Sequence, residues 1–341
     1  MKRHHSRLGT SFVREDGIPY KTQLAAPLSF IDLFCGIGGF HLAAKSLGWR
    51  CKMASDIDFE ARRTYERNFG LEPLGDIHQI EAAAIPDHDI LLAGFPCQPF
   101  SIIGEGKGFD DARGTLFFEI ARIIREKQPR AFVLENVRQL VSHDGGRTLS
   151  IILRTLNDLG YKSSWRILNA LDFGLPQKRE RILIVGSREN IEFKWPSGGI
   201  PMKSLAEILE KNVAPKHFAS ERIVKNRMAA HKSKMSPSIW HENKDGHISS
   251  YPFSCALRAG ASYNYLLVDG KRRLTPREML RLQGFPDDFE IVSNDSQTRK
   301  QAGNSVAVPV IRAVLENLAA ALSPRPSSAK MESATTKTPV A

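Results

Sequence analysis

The sequence has few cysteines, and their spacing is not that of a metal site or a disulfide framework. The four cysteines, Cys35, Cys51, Cys97 and Cys255, form no C-x-x-C pair, so we expect no metal. Residues 1–9 are polar and basic rather than a secretory leader, and no apolar run is judged long enough to cross a membrane. These absences favour a reducing, cytoplasmic compartment over a secreted or membrane protein.

Acidic residues are also fewer than basic ones. The chain has 37 Asp and Glu against 48 Lys and Arg, and its formal net charge is +11. Such a surplus attracts anionic partners such as nucleic acid, although many basic proteins bind none. With 341 residues, 42% of them hydrophobic, the chain is long enough for one large α/β domain or for a core with a smaller lobe.

Short apolar runs alternate with helical patterns through the first part of the chain. The predicted strands are residues 28–33, 52–54, 90–93, 131–134 and 181–185, and the predicted helices are residues 38–47, 116–125 and 147–159. This alternation predicts an α/β fold in which a mostly parallel sheet is covered by helices on both faces.

The alternation stops near Trp195, and this change predicts the domain organisation. We assign a core to residues 27–193 and a small, irregular lobe to residues 194–271, which carry 12 Lys and Arg against 6 Asp and Glu. A long surface excursion is the alternative, but structureless loops of this length are uncommon. Helices predicted near 275–282 and 304–322 return residues 272–322 to the core. Polar ends predict a flexible arm at 1–26 and a disordered tail at 323–341.

A glycine-rich turn between the first predicted strand and its helix is the first candidate site. Glycines there allow the backbone to approach a ligand, and the helix start offers free N–H groups. The pattern is not the dinucleotide fingerprint, because His41 stands where its third glycine would fall. Asp56, 20 residues after Gly36, can bind ribose hydroxyls, and Asp76 can face an adenine. Structural turns and ordinary turn acids are the alternatives.

Cys97 lies between two prolines, just after a predicted strand, and is the second candidate site. A lone cysteine is more often a small core residue than a nucleophile. Here the prolines fix an exposed backbone, and three glycines between residues 104 and 108 predict a mobile flap after it. We therefore interpret Cys97 as a nucleophile.

Charged residues at two further strand ends complete the constellation. Glu135 should point into the same crevice as Cys97, where it would read the substrate or exchange a proton with it, because like charges prevent it from activating a thiolate. Arg179 and Arg181 alternate along a strand and can share one face, which suits a carbonyl oxygen or a phosphate. A solvated, charged strand end is the alternative for both arginines.

The motifs, taken in order, resemble those of the DNA cytosine-5 methyltransferases of bacterial restriction-modification systems. They read DLFCGIGG, GFPCQPFS, ENV, QKRER, RLTPRE with LQGFP, and QAGNSV, and span residues 30–310 with gaps only in the irregular insert. The resemblance implies a Rossmann-like, S-adenosylmethionine-dependent methyltransferase fold. It implies methyl transfer to C5 of a flipped-out cytosine in duplex DNA, through a covalent bond between Cys97 and C6.

The resemblance also implies a role for individual residues, and it makes the insert the target-recognition region. Ile57 departs from the aromatic residue that many relatives carry beside the adenine. The expected cofactor contacts are Phe34, Gly36, Gly38, Gly39, Asp56, Ile57, Asp76, Ile77, Leu116, Asn304 and Ser305. The expected catalytic residues are Cys97, Glu135, Arg179 and Arg181, and the expected DNA contacts are Gln98, Ser101, Arg113 and Arg258.

Four other functions compete with this interpretation. The same chemistry on tRNA is the nearest, because the tRNA cytosine-5 enzymes share the fold. Methylation of an exocyclic amine usually requires an Asn/Asp/Ser-Pro-Pro-aromatic motif, which the chain lacks. The imperfect glycine pattern disfavours a nicotinamide oxidoreductase. The intact set of catalytic residues disfavours a catalytically silent DNA-binding regulator. A partner restriction endonuclease is expected, and a monomer suffices for the chemistry.

Overall fold

The computed structural model describes residues 27–96 and 116–322. The predicted nucleophile Cys97 and three predicted DNA contacts, Gln98, Ser101 and Arg113, lie outside the described residues. The same holds for the predicted arm at 1–26 and the predicted tail at 323–341.

A six-stranded sheet lies at the centre of the described structure. Its strands are β1 (Ser29–Leu33), β2 (Arg50–Ser55), β3 (Ile90–Gly94), β4 (Ala131–Val137), β5 (Lys162–Asn169) and β7 (Glu180–Ser187), while β6 (Gln177–Lys178) lies outside it. The strand order is β2-β1-β3-β4-β7-β5. Strands β1 to β4 pair in parallel, and β7 runs antiparallel to both of its neighbours. The predicted mostly parallel sheet is therefore confirmed.

Helices cover both faces of this sheet, as predicted. They are α1 (Gly39–Ser46), α2 (Phe59–Phe69), α3 (Leu116–Lys127) and α4 (Arg147–Asp158) in the first part of the chain. Successive strand residues point to opposite faces. Thus Ile90 packs in the cluster that contains α1, and Leu91 packs in the cluster that contains α3 and α4. In α3, Phe117, Ile120 and Ile124 recur at helical spacing and are buried together.

The insert at 194–271 has more regular structure than its sequence suggested. It contains α5 (Leu205–Ile208), α6 (Glu221–Ala230), β8 (Ile239–Glu242), β9 (Ile248–Tyr251), β10 (Ser254–Cys255) and β11 (Leu266–Val268). Strands β11, β8 and β9 form an antiparallel sheet in that order, whereas β10 pairs in parallel with β6 of the core. The insert is thus joined to the core immediately before the candidate catalytic arginines.

The last part of the chain returns to the core through α7 (Pro276–Leu282), α8 (Asp295–Asn304) and α9 (Val308–Leu322). The helix predicted at 304–322 was wrong at its start, because Asn304 is the last residue of the preceding helix, α8. Ser305 is extended, with φ −69° and ψ 160°. Pro309 is tolerated only in the first turn of a helix, which fixes the start of α9 at Val308.

One stretch of the described residues, Asp295–Leu322, is long and apolar enough to cross a membrane by length and composition. The prediction that no such stretch exists was therefore wrong. The stretch is interrupted at Ser305 and forms two helices rather than one. Val314, Leu315 and Leu318 of α9 are fully buried in the core cluster that contains α1. We interpret α9 as a core helix of this domain.

Asp32, in the middle of β1, is the exception to the apolar interior of the sheet. Its side chain is fully buried, and neither carboxylate oxygen makes a hydrogen bond to a described residue. Burial raises the pKa of Asp32 well above its ordinary value of 3.8, and the nearby backbone amide of His41 offsets this only in part. The folded protein therefore holds the Asp32 proton more tightly than the unfolded chain does.

This difference predicts a pH-dependent effect of Asp32→Asn on stability. Because the folded pKa is raised, wild-type stability falls as pH increases from 3.8 towards that folded pKa. Asparagine has no proton to lose, so the free energy of unfolding of the variant should rise relative to that of wild type as pH increases, by about 1–3 kcal/mol. Urea unfolding between about pH 4.5 and pH 8 measures it. The exposed Asp158→Asn is the control, and a difference that does not vary with pH would contradict the prediction.

Candidate functional site

A cavity of about 730 Å³ lies at the C-terminal ends of the parallel strands. Phe34 follows β1, Asp56 follows β2, Phe95 follows β3, and Glu135 lies near the end of β4, and all four residues line the cavity. Sites for small molecules typically occupy roughly 300–1,000 Å³ and form at this edge of open α/β sheets. The cavity therefore has the place and size of a binding site.

The turn after β1 is shaped by two residues with left-handed backbone. Phe34 and Gly36 both have φ of 54°, which is unusual for a phenylalanine and signals local strain at a candidate site. The Gly36 N–H donates to Asp56 Oδ2 at 2.7 Å, and Asp56 Oδ1 accepts the Asp58 N–H at 2.8 Å. Asp56 thus holds the turn in place while facing the cavity. Burial raises the pKa of Asp56.

Gly38 and Gly39 are required for close packing between elements rather than for the shape of the cavity. Neither lines the cavity. A Cβ at Gly38 would come within 2.1 Å of the Phe69 ring, and one at Gly39 within 2.9 Å of Ser305 Oγ. These glycines allow α1 to pack against α2 and against the chain before α9. Their contact with a cofactor, and that of Ser305, which also lies outside the cavity lining, stay predictions.

Other residues of the cavity lining combine apolar surface with a second carboxylate. Ile57, Asp76, Ile77 and Leu116 all line the cavity. Ile77 is buried, whereas Ile57 is 75% exposed. The hydrogen bond with the His78 side chain lowers the pKa of Asp76, so this carboxylate is an ionised acceptor at neutral pH. Carboxylates beside apolar walls suit a ligand with hydroxyl and amine groups around a flat ring.

The candidate catalytic residues contribute a largely buried ion pair to the cavity. Arg181 Nε lies 3.0 Å from Glu135 Oε1. Burial raises the pKa of Glu135, and the charges of Arg181 and Arg179 lower it in part. Among the described residues, no donor makes a hydrogen bond of normal geometry with Glu135 Oε1. Glu135 itself lines the cavity, so its side chain borders the space that a ligand would fill.

Arg179 lines the cavity too, so the two arginines share one site as predicted, but its guanidinium is already engaged. Its Nη1 donates to the Leu257 carbonyl at 3.2 Å, and its Nη2 donates to the carbonyls of Gly303 at 3.2 Å and Ser305 at 2.5 Å. Burial lowers the pKa of Arg179 to about 9. These bonds make Arg179 a brace between the insert and the turn after α8.

Two residues of the site were missed by the sequence reasoning. Asn136 is buried beside Glu135, and its Nδ2 donates at 2.9 Å to the Phe95 carbonyl, two residues before Cys97. The ENV motif that drew attention to Glu135 contained this signal. Lys300 Nζ lies 2.6 Å from Asp58 Oδ2 at the rim of the cavity. These partners are 242 residues apart, and no local pattern connects them.

The C-terminal and insert residues lie close to the same site. Asn304 lines the cavity, as expected of a cofactor contact. Arg258, an exposed arginine of the insert, donates its backbone N–H to Tyr265 Oη at 3.0 Å. Its guanidinium lies 4.7 Å from the centre of the Tyr265 ring. Within residues 27–96 and 116–322, no group of three or more His, Cys, Asp or Glu residues could hold a metal ion.

Comparison with known proteins agrees with this arrangement. The chain is 59% identical to the Type II methyltransferase M.NgoBI of Neisseria gonorrhoeae over 286 residues, 83% of this chain and 90% of the relative. It is 54% identical to the Type II methyltransferase M.HaeII of Haemophilus aegyptius over 287 residues, with the same coverage of 83% and 90%. A solved DNMT2 variant of Spodoptera frugiperda superimposes with a TM-score of 0.68, covering 85% of this chain and 99% of that one, at 21% identity. That structure supports the fold alone.

The family model for C-5 cytosine-specific DNA methylases matches residues 28–320. The match covers the sheet, the cavity, the insert and all three C-terminal helices. The expected methyltransferase fold is confirmed by this match, and the family implies S-adenosylmethionine as the methyl donor. The chain therefore belongs to the C-5 cytosine-specific DNA methylase family and is a DNA cytosine-5 methyltransferase.

Proposed function

We propose that the enzyme methylates C5 of a cytosine flipped out of a specific duplex DNA sequence, through a covalent bond between Cys97 and C6. One observation carries this proposal: the Glu135–Arg181 ion pair shares a cavity with the candidate cofactor residues. Phe95 and Pro96, which also line it, are the last described residues before Cys97. Nucleophile, proton-handling group and cofactor site would thus meet at one sheet edge.

The residues present fit S-adenosylmethionine, which supplies an activated methyl group when bound. Phe34, Ile77 and Leu116 offer apolar surface for the adenine and for the methionine chain. The two carboxylates, Asp56 and Asp76, can accept hydrogen bonds from ribose hydroxyls and from an amine. Each Asp56 oxygen accepts one backbone N–H and retains capacity for a second bond.

A cysteine is suited to the nucleophilic step because C5 of cytosine is a poor nucleophile in the intact ring. Addition of the Cys97 thiolate to C6 would make C5 electron-rich enough to take the methyl group. The sulfur would leave again when the methylated C5 gives up its proton to a water molecule. Glu135 would hold or donate a proton at N3 of the ring during the addition. Arg181 would bind the O2 oxygen while its charge keeps Glu135 oriented.

The raised pKa of Glu135 leads to a prediction for Arg181→Met. The Arg181 charge lowers the pKa of Glu135, so its removal should raise that pKa further. If a neutral Glu135 donates to N3, the activity of wild type falls as pH rises through this pKa. In the variant, this loss of activity should occur at higher pH. The pH profile of single-turnover methylation measures the shift, with Arg138→Met as an exposed arginine control. A shift to lower pH would contradict the assignment.

Recognition of DNA is proposed for the insert at 194–271. Flipping a base costs a few kcal/mol, which phosphate contacts from basic residues can offset. Base edges in the major groove would be read by exposed side chains such as that of Arg258, which directly follows Leu257, the residue whose carbonyl accepts from Arg179. Cofactor contacts beyond the cavity lining, and DNA contacts of Gln98, Ser101 and Arg113, belong to the same proposal.

Labelled S-adenosylmethionine tests the proposed reaction directly. Wild-type enzyme should transfer label to C5 of cytosine in duplex DNA and not to tRNA. Label on tRNA alone would move the substrate to RNA, and label on an exocyclic amine would refute the C5 chemistry. Bisulfite sequencing of the product identifies the methylated sequence.

Exchange of the insert tests its role in recognition. Replacing residues 194–271 with the aligned segment of a family member of different target should transfer that member's target to the chimera. The physical reason is that the segment contributes the base contacts, whereas the catalytic residues lie outside it. Sequencing of methylated plasmid gives the result. A chimera that is active on the original sequence would place recognition elsewhere.

We further propose that methylation protects DNA from a partner restriction endonuclease, and that the enzyme acts as a monomer. The Type II names of M.NgoBI and M.HaeII support the first part. Plasmid from cells that express the enzyme should resist an endonuclease of the same target and be cut when the enzyme is absent. Sedimentation at assay concentration tests the second part.

A further inference from the structure

A network of buried polar side chains joins the insert to the core behind the cavity. Gln177 and Gln283 are fully buried at its centre. Gln177 Nε2 donates to the Leu282 carbonyl at 2.8 Å and to Gln283 Oε1 at 3.2 Å. Gln283 Nε2 donates to the carbonyls of Ala302 at 2.6 Å and Ser305 at 3.3 Å. The network therefore connects β6, α7 and the turn after α8.

The insert enters this network through the backbone of Leu257 and Arg258. The Leu257 N–H donates to Gln177 Oε1 at 3.0 Å, and the Leu257 carbonyl accepts from Arg179 at 3.2 Å. The next group, the Arg258 N–H, donates to Tyr265 Oη at 3.0 Å. Two side chains of the core segment 177–179 and one of the insert thus hold three successive backbone groups.

This use of side chains follows from where the strand pairing ends. Strand β10 stops at Cys255, so Leu257 has no neighbouring strand to satisfy its backbone groups. Buried backbone groups without a partner are costly, and Gln177, Arg179 and Tyr265 provide the partners. The side chain of Arg258 is exposed at the end of this fixed segment, and its guanidinium lies over the Tyr265 ring.

Gly303 brings the same segment against the wall of the cavity. A Cβ at Gly303 would come within 2.5 Å of the Ala259 nitrogen and 2.9 Å of the Arg258 carbonyl carbon. Backbone atoms cannot move aside as a flexible side chain would, so α8 approaches the insert closely only with a glycine here. Gly303 itself lines the cavity. The position of Arg258 is therefore set relative to the catalytic site by direct backbone packing.

We propose that Gln177 and Tyr265 are positioning residues for target recognition, because they fix the Leu257–Arg258 backbone from which the arginine reaches DNA. The proposal rests on the proposed function, in which the insert reads the sequence. A displaced arginine loses its geometry towards the correct base more than it loses general attraction to DNA. Loss of either residue therefore reduces discrimination between the target and near-target sequences.

The test compares methylation of a pool of random duplexes by wild type, Gln177→Met and Tyr265→Phe. The readout is the ratio of rates at the target and at sequences changed by one base, which does not depend on the fraction of active enzyme. We expect this ratio to fall at least about tenfold for Gln177→Met and about threefold for Tyr265→Phe, in line with the cost of one disturbed base contact. Bisulfite sequencing over time gives both rates.

Thr298→Val is the matched control. Thr298 is buried in α8, its hydroxyl donates to the Ser293 carbonyl at 3.1 Å, and its N–H donates to the Asn294 carbonyl at 2.9 Å, so both bonds are local to the start of α8. Loss of the hydroxyl's bond should change all rates by one factor and leave the ratio as in wild type. Tyr265→Phe deletes one hydroxyl and keeps the ring, so it remains informative if Gln177→Met does not fold.

Arg258→Ala in the same pool separates the positioning role from the proposed recognition. If Arg258→Ala lowers the ratio but Gln177→Met and Tyr265→Phe do not, the positioning role is overturned and recognition by the insert stands. If Arg258→Ala leaves the ratio unchanged, both the arginine contact and its positioning are overturned. A wild-type enzyme that methylates all sequences equally would refute sequence reading itself.

Discussion

Cys97→Ala is expected to abolish methyl transfer, with a loss of at least about 10⁴-fold in single-turnover rate. Without the thiolate, no covalent bond forms at C6, and C5 stays too weak a nucleophile for the methyl group. S-adenosylmethionine binding should persist, because the residues proposed to hold the cofactor, among them Asp56, Asp76 and Leu116, are unchanged in this variant. Equilibrium dialysis for the cofactor and quench-flow for the methyl group separate these two effects.

A control variant and a trapping experiment test whether this result is specific to Cys97. Cys51→Ala is the control, since burial raises the pKa of Cys51 to about 12 and keeps it a thiol at neutral pH. DNA with 5-fluorocytosine at the target should trap wild-type enzyme covalently, because fluorine cannot leave C5 as a proton does. Trapping of Cys97→Ala, or residual activity above about 1% of wild type, would assign the nucleophile elsewhere.

The sheet and most of its helices could be predicted because their signals are local. Strands β1, β3 and β4 are nearly continuous apolar runs, as expected for strands buried on both faces. Helix α2 was missed because its buried residues, Ala61, Thr64 and Tyr65, form only a weak apolar stripe. Asp58, which accepts the N–H groups of the first turn, and Gly70 after its end were the available signals.

Strand β5 and the direction of β7 could not be found in the same way. β5 is an edge strand with several exposed residues, including Trp165, and it lacks an apolar run. The antiparallel direction of β7 depends on its pairing with β4 and β5, which is a long-range property. A single sequence gives the position of such a strand but not the order or direction in the sheet.

The same difference between local and long-range signals applies to the candidate site. Phe34 and Asp56 follow strands and Glu135 lies near the end of one, so the geometry of parallel sheets predicted their meeting from sequence alone. The engagement of Arg179 could not be predicted, because its partners Leu257 and Ser305 are 78 and 126 residues away. Its place beside Arg181 in the sequence indicated that its guanidinium would bind a phosphate or a carbonyl oxygen of a substrate. In the structure the guanidinium donates to backbone carbonyls of two other segments of the chain.

The second large effect is expected for Glu135→Gln, a loss of about 10²–10⁴-fold in methylation rate. Glutamine keeps the shape of the side chain but cannot donate a proton to N3 as a carboxylic acid does. It also places an amide that cannot titrate where Glu135 Oε1 lies 3.0 Å from Arg181 Nε. Burial raises the pKa of Glu135 and so favours the protonated carboxyl group, whereas a neutral amide has no such proton to give.

The measurement is the single-turnover rate with saturating DNA, together with the dissociation constant for the same duplex. The rate should fall while DNA affinity changes by less than about tenfold, because the interaction is made to one flipped base and not to the phosphates. Glu180→Gln is the control: this neighbouring carboxylate is paired with Arg138 and does not line the cavity. Equal losses in the two variants would remove Glu135 from the chemistry, since only one of them faces the proposed base.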